Sequence, residues 1–311
     1  MKRIFSIITL LCCVAACTDD GKYYRDHSED DGEGSGEVER KTTFVVGSFN
    51  LRGDIDSGDN TWSNRRARVI ARIRDNAFDI FGTQECYDRM LEDIKSDAPE
   101  YDYYGKYGNF DTWTSGIPCY SAIFYRKDRF LLLDSGDFWY SETPEVPYSY
   151  SWNPNWPRLC SWCKFQDKNT QRIFFIFNSH FDNKGKNDSN TFNQIVYNSA
   201  RVLRTQIDII AKDAAVIATG DFNSAPGSTA INEILNGGYL RDCYAASLSV
   251  PAGPEGSYYG YNFTNPPTSR IDFIFVTEHF TVYNYKNIDT DFSERRSASD
   301  HLPIMATVAI K

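Results

Sequence analysis

Residues 297–304 read Ser-Ala-Ser-Asp300-His301-Leu-Pro-Ile304, and residues 269–276 read Ser-Arg270-Ile-Asp272-Phe-Ile-Phe-Val276. In the first stretch an aspartate and a histidine stand just before the final apolar run. In the second an acidic residue opens an apolar, strand-like run. Together they can set an imidazole beside an orienting carboxylate. Four more polar clusters of this kind lie upstream, each at the C-terminal end of an apolar run: Ser48-Phe49-Asn50, Thr83-Gln84-Glu85, Asn178-Ser179-His180-Phe181-Asp182 and Gly220-Asp221-Phe222-Asn223. Polar residues that recur at strand ends are not scattered surface polarity.

The apolar runs between them read as short strands: 44–50, 77–84, 159–165, 173–179, 215–222, 271–276, 280–285 and 303–310. Residues 120–126 and 130–136 read as a hairpin around Lys127-Asp128. Helices are interspersed. Ser63 can cap one running to Asn76, with Arg65, Arg66, Arg68, Arg72 and Arg74 on its wet side; Tyr87–Ser96 and Thr229–Leu235 are shorter. The clearest helix carries Phe192, Val196, Ala200, Leu203, Ile207 and Ile210 at steps of three and four, a single buried stripe. Strands outnumber helices, and hairpin-length links are frequent. The mixture predicts an α/β fold of two packed sheets with helices on the outer faces, not a doubly wound parallel sheet.

The chain begins with a basic pair, Lys2-Arg3, and an apolar run from Ile4 to Ala16. That run is too short to span a bilayer and has the pattern of a secretory signal over 1–16. Val14-Ala15-Ala16-Cys17 resembles the cleavage site of a bacterial lipoprotein, with Cys17 as the lipid-bearing residue. Asp19-Asp20 resembles an outer-membrane sorting signal. Residues 17–40 are acidic and Gly/Ser-rich and bury too little to order themselves, so they read as a tether. Residues 41–311 then form one large domain. The expected place is the cell envelope, with a membrane partner through the lipid and a monomeric domain.

Formal net charge is −9, and loss of Lys2 and Arg3 with the signal makes it −11. That weighs against sequence-blind binding of long duplex DNA but allows an enzyme that meets phosphates through a metal. Of eight cysteines, five lie in the domain: Cys86, Cys119, Cys160, Cys163 and Cys243. An odd number cannot all pair. Cys160 and Cys163 lie three apart in a strand and face opposite ways, which predicts core packing rather than metal or redox work.

On a strand, residues i and i+2 face the same way. Asn178, His180 and Asp182 can therefore project together, as can Asp221 with Asn223 and Arg270 with Asp272. Asp182 reads equally as a turn former, and Arg270 either as a phosphate grip or as a structural ion pair. Several carboxylates, two amides and two imidazoles at one end of a sandwich suit a hard cation such as Mg²⁺ or Mn²⁺. They also suit metal-assisted attack of water on a phosphate ester.

The six pieces SFNLR (48–52), TQE (83–85), NSHFD (178–182), GDFN (220–223), SRIDFIF (269–275) and SDHLP (299–303), in this order, resemble the endonuclease/exonuclease/phosphatase superfamily over nearly the whole domain. The resemblance implies a four-layer α/β/β/α sandwich of two mixed sheets flanked by helices, like deoxyribonuclease I. It implies that Glu85 binds the metal, with Asn50 as a metal-site partner and Asp300 as a second contributor to the metal or to His180. His180 would donate to the phosphate or leaving group, and Asp221 and Asn223 would orient nucleophile and phosphoryl oxygen. His301 would be the general base, with Asp272 orienting its ring. The activity implied is hydrolysis of a phosphodiester or phosphomonoester, the diester slightly favoured.

Residues 138–144 and 152–158 depart from the nuclease and repair branches. There Trp152, Trp156 and Arg158 can form a substrate wall or simply pack over a sheet edge. The alternative function is a non-catalytic glycan- or ligand-binding surface lipoprotein on the same fold. Against it stands the joint presence of Glu85, His180, Asp221, Asn223, Asp272 and His301.

Overall fold

A computed structural model describes residues 42–106, 108–110, 118–183, 189–288 and 296–311. The expected signal (1–16), the tether (17–40) and Cys17 lie outside the described residues. Two six-stranded sheets dominate. The first runs in the order β14 (Phe280–Asn287), β15 (Ile304–Ile310), β1 (Thr43–Asn50), β2 (Ile80–Gln84), β7 (Ile123–Arg126) and β4 (Tyr101–Tyr104). The second runs β12 (Leu240–Asp242), β13 (Asp272–Thr277), β11 (Ala215–Asp221), β10 (Ile173–His180), β9 (Leu159–Asp167) and β8 (Phe130–Trp139). In each sheet one central pair is parallel, β1 with β2 and β10 with β11, and the other pairings are antiparallel. A small third sheet joins β3 (Cys86–Tyr87), β6 (Pro118–Tyr120) and β5 (Gly108–Phe110).

Three separate apolar clusters define four layers. The central one lies between the sheets, where Phe44 and Val46 of the first meet Phe165, Phe174 and Ile217 of the second. Phe44 alone sits 5.3–6.3 Å, ring to ring, from Phe130, Phe174 and Phe280. On the outer face of the second sheet pack α3 (Ser189–Ala211) and α4 (Thr229–Leu235). Against the first sheet pack α1 (Trp62–Asp75) and α2 (Asp88–Asp97). A short α5 (Cys243–Ala246) follows β12. The predicted stripe of α3 is the buried one: Val196, Ala200, Leu203 and Ile207 are fully buried against Phe175, Phe177 and Val216. Leu203→Ala is therefore expected to cost about 2–5 kcal/mol, read as a lower urea midpoint at unchanged slope. Cys160 and Cys163 fall in different clusters, one on each face of β9, and among the described residues none of the five domain cysteines forms a disulfide.

The expected hairpin over 120–136 does not form. The first half splits into β6 and β7, and β7 pairs with β2 and β4 while β8 pairs with β9. The turn at Lys127-Asp128 thus carries the chain from one sheet to the other. Phe130 and Arg129 explain the crossing. Phe130 plugs the central core, and Arg129 ties Asp79 of the first sheet's side to Asp167 of the second at 3.7 and 3.3 Å. Ser63 is not a cap either. The helix starts at Trp62, whose amide donates to Asp54 Oδ1 at 2.8 Å. Arg65, expected on the wet side of α1, is fully buried. Its guanidinium donates to the carbonyls of Leu51, Arg52, Asn60 and Ala298 at 2.5–2.8 Å. A buried cation is tolerable when every N–H finds an acceptor, and here the acceptors belong to the loops that carry site residues.

Candidate active site

Parallel pairing sets strand ends level. Asn50 stands opposite Gln84 in the first sheet, and His180 opposite Asp221 in the second. Antiparallel β13 begins opposite Asp221, with Asp272 as its partner. Antiparallel β15 brings 299–301 to the same end, where Ser299 Oγ donates to the Asn50 carbonyl at 2.7 Å. The polar clusters spread over 250 residues of sequence thus meet at one edge of the sandwich. This is where ligands meet α/β sheets, outside the carboxyl ends of parallel strands.

A buried polar layer lies beneath the site. Asn178 does not project with His180 toward the pocket; it reaches across to the first sheet. Its Nδ2 donates to the Thr83 and Ala122 carbonyls at 2.8 and 3.0 Å, and its Oδ1 accepts from Gln84 Nε2 at 2.7 Å. Gly82 makes the room, because a Cβ there would lie 2.1 Å from Asn178 Oδ1. Gly82→Ala is expected to break this bridge and destabilise the fold by about 1–3 kcal/mol, checked by urea unfolding.

Above that layer a pocket of about 70 Å³ is lined by Arg52, Glu85, His180, Asn183, Asp221, Asn223, Tyr258, Ile271, Asp300 and His301. Asp221 is its centre. Its Oδ2 lies 3.5 Å from His180 Nε2 and 3.7 Å from His301 Nε2, and accepts from Asn50 Nδ2 at 3.0 Å. Its Oδ1 accepts the Asn223 amide at 2.9 Å, while Asn223 Nδ2 donates to the Phe181 carbonyl. Glu85 lies 3.9 Å from His180 Nε2. Glu85 and Asn223 both hold positive φ, +57° and +50°. Non-glycine residues in that region carry strain that surrounding structure must sustain.

His301 is held from behind. Its Nδ1 meets Asp272 Oδ2 at 2.8 Å, and the same oxygen accepts from Ser257 Oγ at 2.6 Å. The pairing leaves Nε2 facing the pocket. Burial pulls the imidazole pKa down, but the carboxylates of Asp272, Asp221 and Asp300 outweigh it and raise the pKa to about 10. Burial pushes the Asp300 carboxyl above the ordinary range, against the pull of His301 and with Glu85 adding to the rise.

His180 is held differently. Its Nδ1 lies 3.0 Å from Arg158 Nη1. A guanidinium can only donate, so Nδ1 accepts and the ring proton sits on Nε2, the atom that faces Asp221 and Glu85. Arg158 Nε in turn meets Asp182 Oδ2 at 3.2 Å, and Asp182 Oδ1 accepts the Asn155 amide.

The oxygen-rich donor set fits a hard divalent cation. Glu85, His180 and Asp221 offer ligand atoms within 4.8 Å of one another, as do Asp221, Asp272 and His301. Asp300 borders the same pocket, and cysteine takes no part.

Residues 47–301 match the model of the endonuclease/exonuclease/phosphatase family. The chain belongs to that family. It is similar to solved family members from Bacteroides vulgatus and Bacteroides thetaiotaomicron. One, a family protein from Bacteroides thetaiotaomicron, is 33% identical, with TM-score 0.76 over 87% of this chain and 98% of that one. Another, a mannosyl-6-phosphatase from Bacteroides thetaiotaomicron VPI-5482, is 33% identical, with TM-score 0.75 over 86% of this chain and all of that one. A protein of unstated function from Acanthamoeba polyphaga mimivirus is 28% identical over 256 residues, 78% of this chain and 91% of that one.

Within the family framework three expected positions differ in this structure. Arg270 does not face the pocket. It is buried against Asp242 at 2.7 Å, between the Tyr244 and Phe273 rings at 4.6 and 4.4 Å. Its alternative, the structural ion pair, is what forms. Arg158 is no wall for substrate, since it is buried behind His180 with Trp156 under its guanidinium at 5.1 Å. Trp152 faces a different cleft, against α3. Asn50 stays at the metal site, with Nδ2 donating to Glu85 and Asp221 and Oδ1 accepting the Arg52 amide. Among the described residues the arginine that lines the pocket is Arg52, paired with Asp56 at 3.0 Å and 3.8 Å from Asp300. Its signal was inside SFNLR, at the end of the piece. Ser257 and Tyr258, in a loop without periodicity, gave no such signal.

Proposed function

We propose that this chain is a phosphoesterase dependent on Mg²⁺ or Mn²⁺ that cleaves a phosphate monoester of a small polar alcohol, a sugar phosphate above all. The observation that carries it is the single Asp221 oxygen flanked by two imidazole Nε2 atoms at 3.5 and 3.7 Å, with Glu85 beside them. Glu85, aligned by Asn50, and Asp300 would hold the cation. Bound there, a divalent cation neutralises phosphate charge and polarises the ester. His301 Nε2, backed by Asp272, takes the proton of a water that Asp221 orients. His180 Nε2–H and Arg52 donate to phosphate oxygens, where charge grows most in the transition state. A pocket of about 70 Å³ admits a terminal phosphoryl group, and the net charge of −9 weighs against a nucleic-acid track. The mannosyl-6-phosphatase named above supports the monoester choice. Residues 1–17 support a lipid anchor on Cys17 and a place in the cell envelope, and Asp19-Asp20 supports the outer membrane.

The test is phosphate release from hexose 6-phosphates and p-nitrophenyl phosphate, p-nitrophenol release from bis-p-nitrophenyl phosphate, and strand cleavage of plasmid DNA, each with Mg²⁺, Mn²⁺ or EDTA. Turnover of the monoesters that EDTA abolishes is expected; preference for the diester or DNA would overturn the monoester reading. Glu85→Gln is expected to raise the Mg²⁺ concentration for half-activity by at least about tenfold, since even residues behind the ligands are worth that much. An unchanged metal requirement would remove Glu85 from the metal site.

A further inference from the structure

A second cleft, of about 400 Å³, lies between the segment 141–152 and one face of α3. We propose that it is a saccharide-binding site, separate from the catalytic pocket. Its lining includes Trp152 from the loop, Glu142 beside it, and Asn198, Arg201, Thr205 and Gln206 from the helix. Residues 198, 201, 205 and 206 recur at helical spacing beside the buried stripe, so the helix side is rigid. The loop side is pinned as well. Ser141 Oγ and Ser149 Oγ share a hydrogen bond at 2.6 Å, Ser149 Oγ donates to the Thr143 carbonyl, and the Glu142 amide donates to Ser151 Oγ. Tyr148, Trp152 and Asn153 all hold positive φ near +60°. Conformations of that kind persist where surrounding structure over-determines them, and they cluster at ligand clamps.

The chemistry of the wall selects the ligand class. Among the described residues, no hydrogen bond or ion pair engages the side chains of Glu142, Asn198, Arg201, Thr205 or Gln206. An apolar guest would desolvate these five polar groups without pairing them, which is costly. A simple anion would find one cation, Arg201, and meet the Glu142 carboxylate. A pyranose presents what the wall lacks: an apolar C–H face for the half-buried indole of Trp152, and a rim of hydroxyls that each donate and accept. Carboxylate, amides, guanidinium and hydroxyl together can satisfy such a rim. The volume falls in the usual range of small-ligand sites, roughly 300–1,000 Å³ with an aromatic wall and a few placed polar groups.

The cleft shares no lining residue with the catalytic pocket. The loop nevertheless joins them: Asn155 Nδ2 donates to the Oδ1 of Asn183, which lines the catalytic pocket. The inference does not depend on the proposed activity.

The experiment is calorimetric titration of the full chain, in EDTA, with short manno-, gluco- and galacto-oligosaccharides, alongside indole fluorescence. At least one series is expected to bind and to shift the fluorescence. Trp152→Ala is expected to weaken it by about tenfold or more, as buried aromatic anchors do, and Gln206→Ala and Asn198→Ala severalfold. The helix variants keep the test valid if the loop variant misfolds, which melting curves would reveal. His301→Ala should bind sugar like the parent while losing turnover, so the two proposals fail separately. Absence of binding across the three series, or binding untouched by Trp152→Ala and Gln206→Ala, would overturn the saccharide site.

Discussion

Replacing His301 by alanine is expected to lower turnover of a phosphate monoester by about 10²–10⁴-fold, the usual worth of a positioned general base. Asp272→Asn should approach that loss with the imidazole still present. Asp272 Oδ2 accepts at once from His301 Nδ1 and Ser257 Oγ; an amide in its place frees the ring to turn and to change tautomer. The pH dependence of the two variants separates a base from a mere packing residue. In the metal-free protein three carboxylates hold His301 protonated up to about 10, against an ordinary value of 6.5. At pH 7 that imidazole is an acid. In the presence of Mg²⁺ the positive charge opposes the imidazolium, so His301 is expected to titrate at lower pH, which NMR of the ring protons would show. An unmoved titration would place the cation away from His301.

The same shift has a consequence for stability. A histidine whose folded pKa lies above its unfolded value stabilises fully below the unfolded pKa, and that contribution is lost as pH rises through the folded one. For His301 the window runs from about 6.5 to about 10. Asp300, also raised, acts in the same direction at lower pH. The urea midpoint in EDTA is expected to fall between pH 6.5 and 10, and His301→Ala should flatten that slope. A midpoint that rises over the window would mean that Asp272 and Asp221 do not hold the proton.

The legible parts of this chain were those written in local periodicity. The α3 stripe, the opposite faces of Cys160 and Cys163, and the polar residues at strand ends all follow from repeats of 3.6 and 2.0. Parallel pairing of β1 with β2 and β10 with β11 then brought those ends together. What was illegible depends on partners far away in sequence. The link at Lys127-Asp128 has hairpin length whether its strands pair or part; only Phe130 and Arg129, reaching both sheets, decide. Arg65 looks like any helix-surface arginine, because its partners are backbone carbonyls that carry no sequence signal. Arg270 and Asp272 alternate as site residues should, yet Asp242, from the end of β12, captures the first of them.

Arg158 offers the sharper test of how the site is organised. It is buried, and it bridges His180 Nδ1 at 3.0 Å and Asp182 Oδ2 at 3.2 Å. Arg158→Met removes one partner of a buried ion pair and should cost about 3–5 kcal/mol of stability. It should also release His180 from the Nε2–H tautomer, with a 10- to 100-fold loss in turnover of the kind seen when a residue behind a catalytic histidine is removed. Stability loss alone would explain neither number if the two can be parted. Adding Asp182→Asn to Arg158→Met removes the stranded charge and should recover most of the stability, while turnover stays low because Nδ1 still lacks its donor. Arg158→Lys should behave in between. One ammonium can neutralise Asp182 but cannot reproduce the planar fork that serves carboxylate and imidazole together. The loss should fall on kcat rather than KM, since a donor at Nε2 matters most when phosphoryl charge has grown. If turnover instead rises and falls with the unfolding midpoint across these variants, Arg158 is a structural residue only, and the tautomer of His180 is fixed by something else.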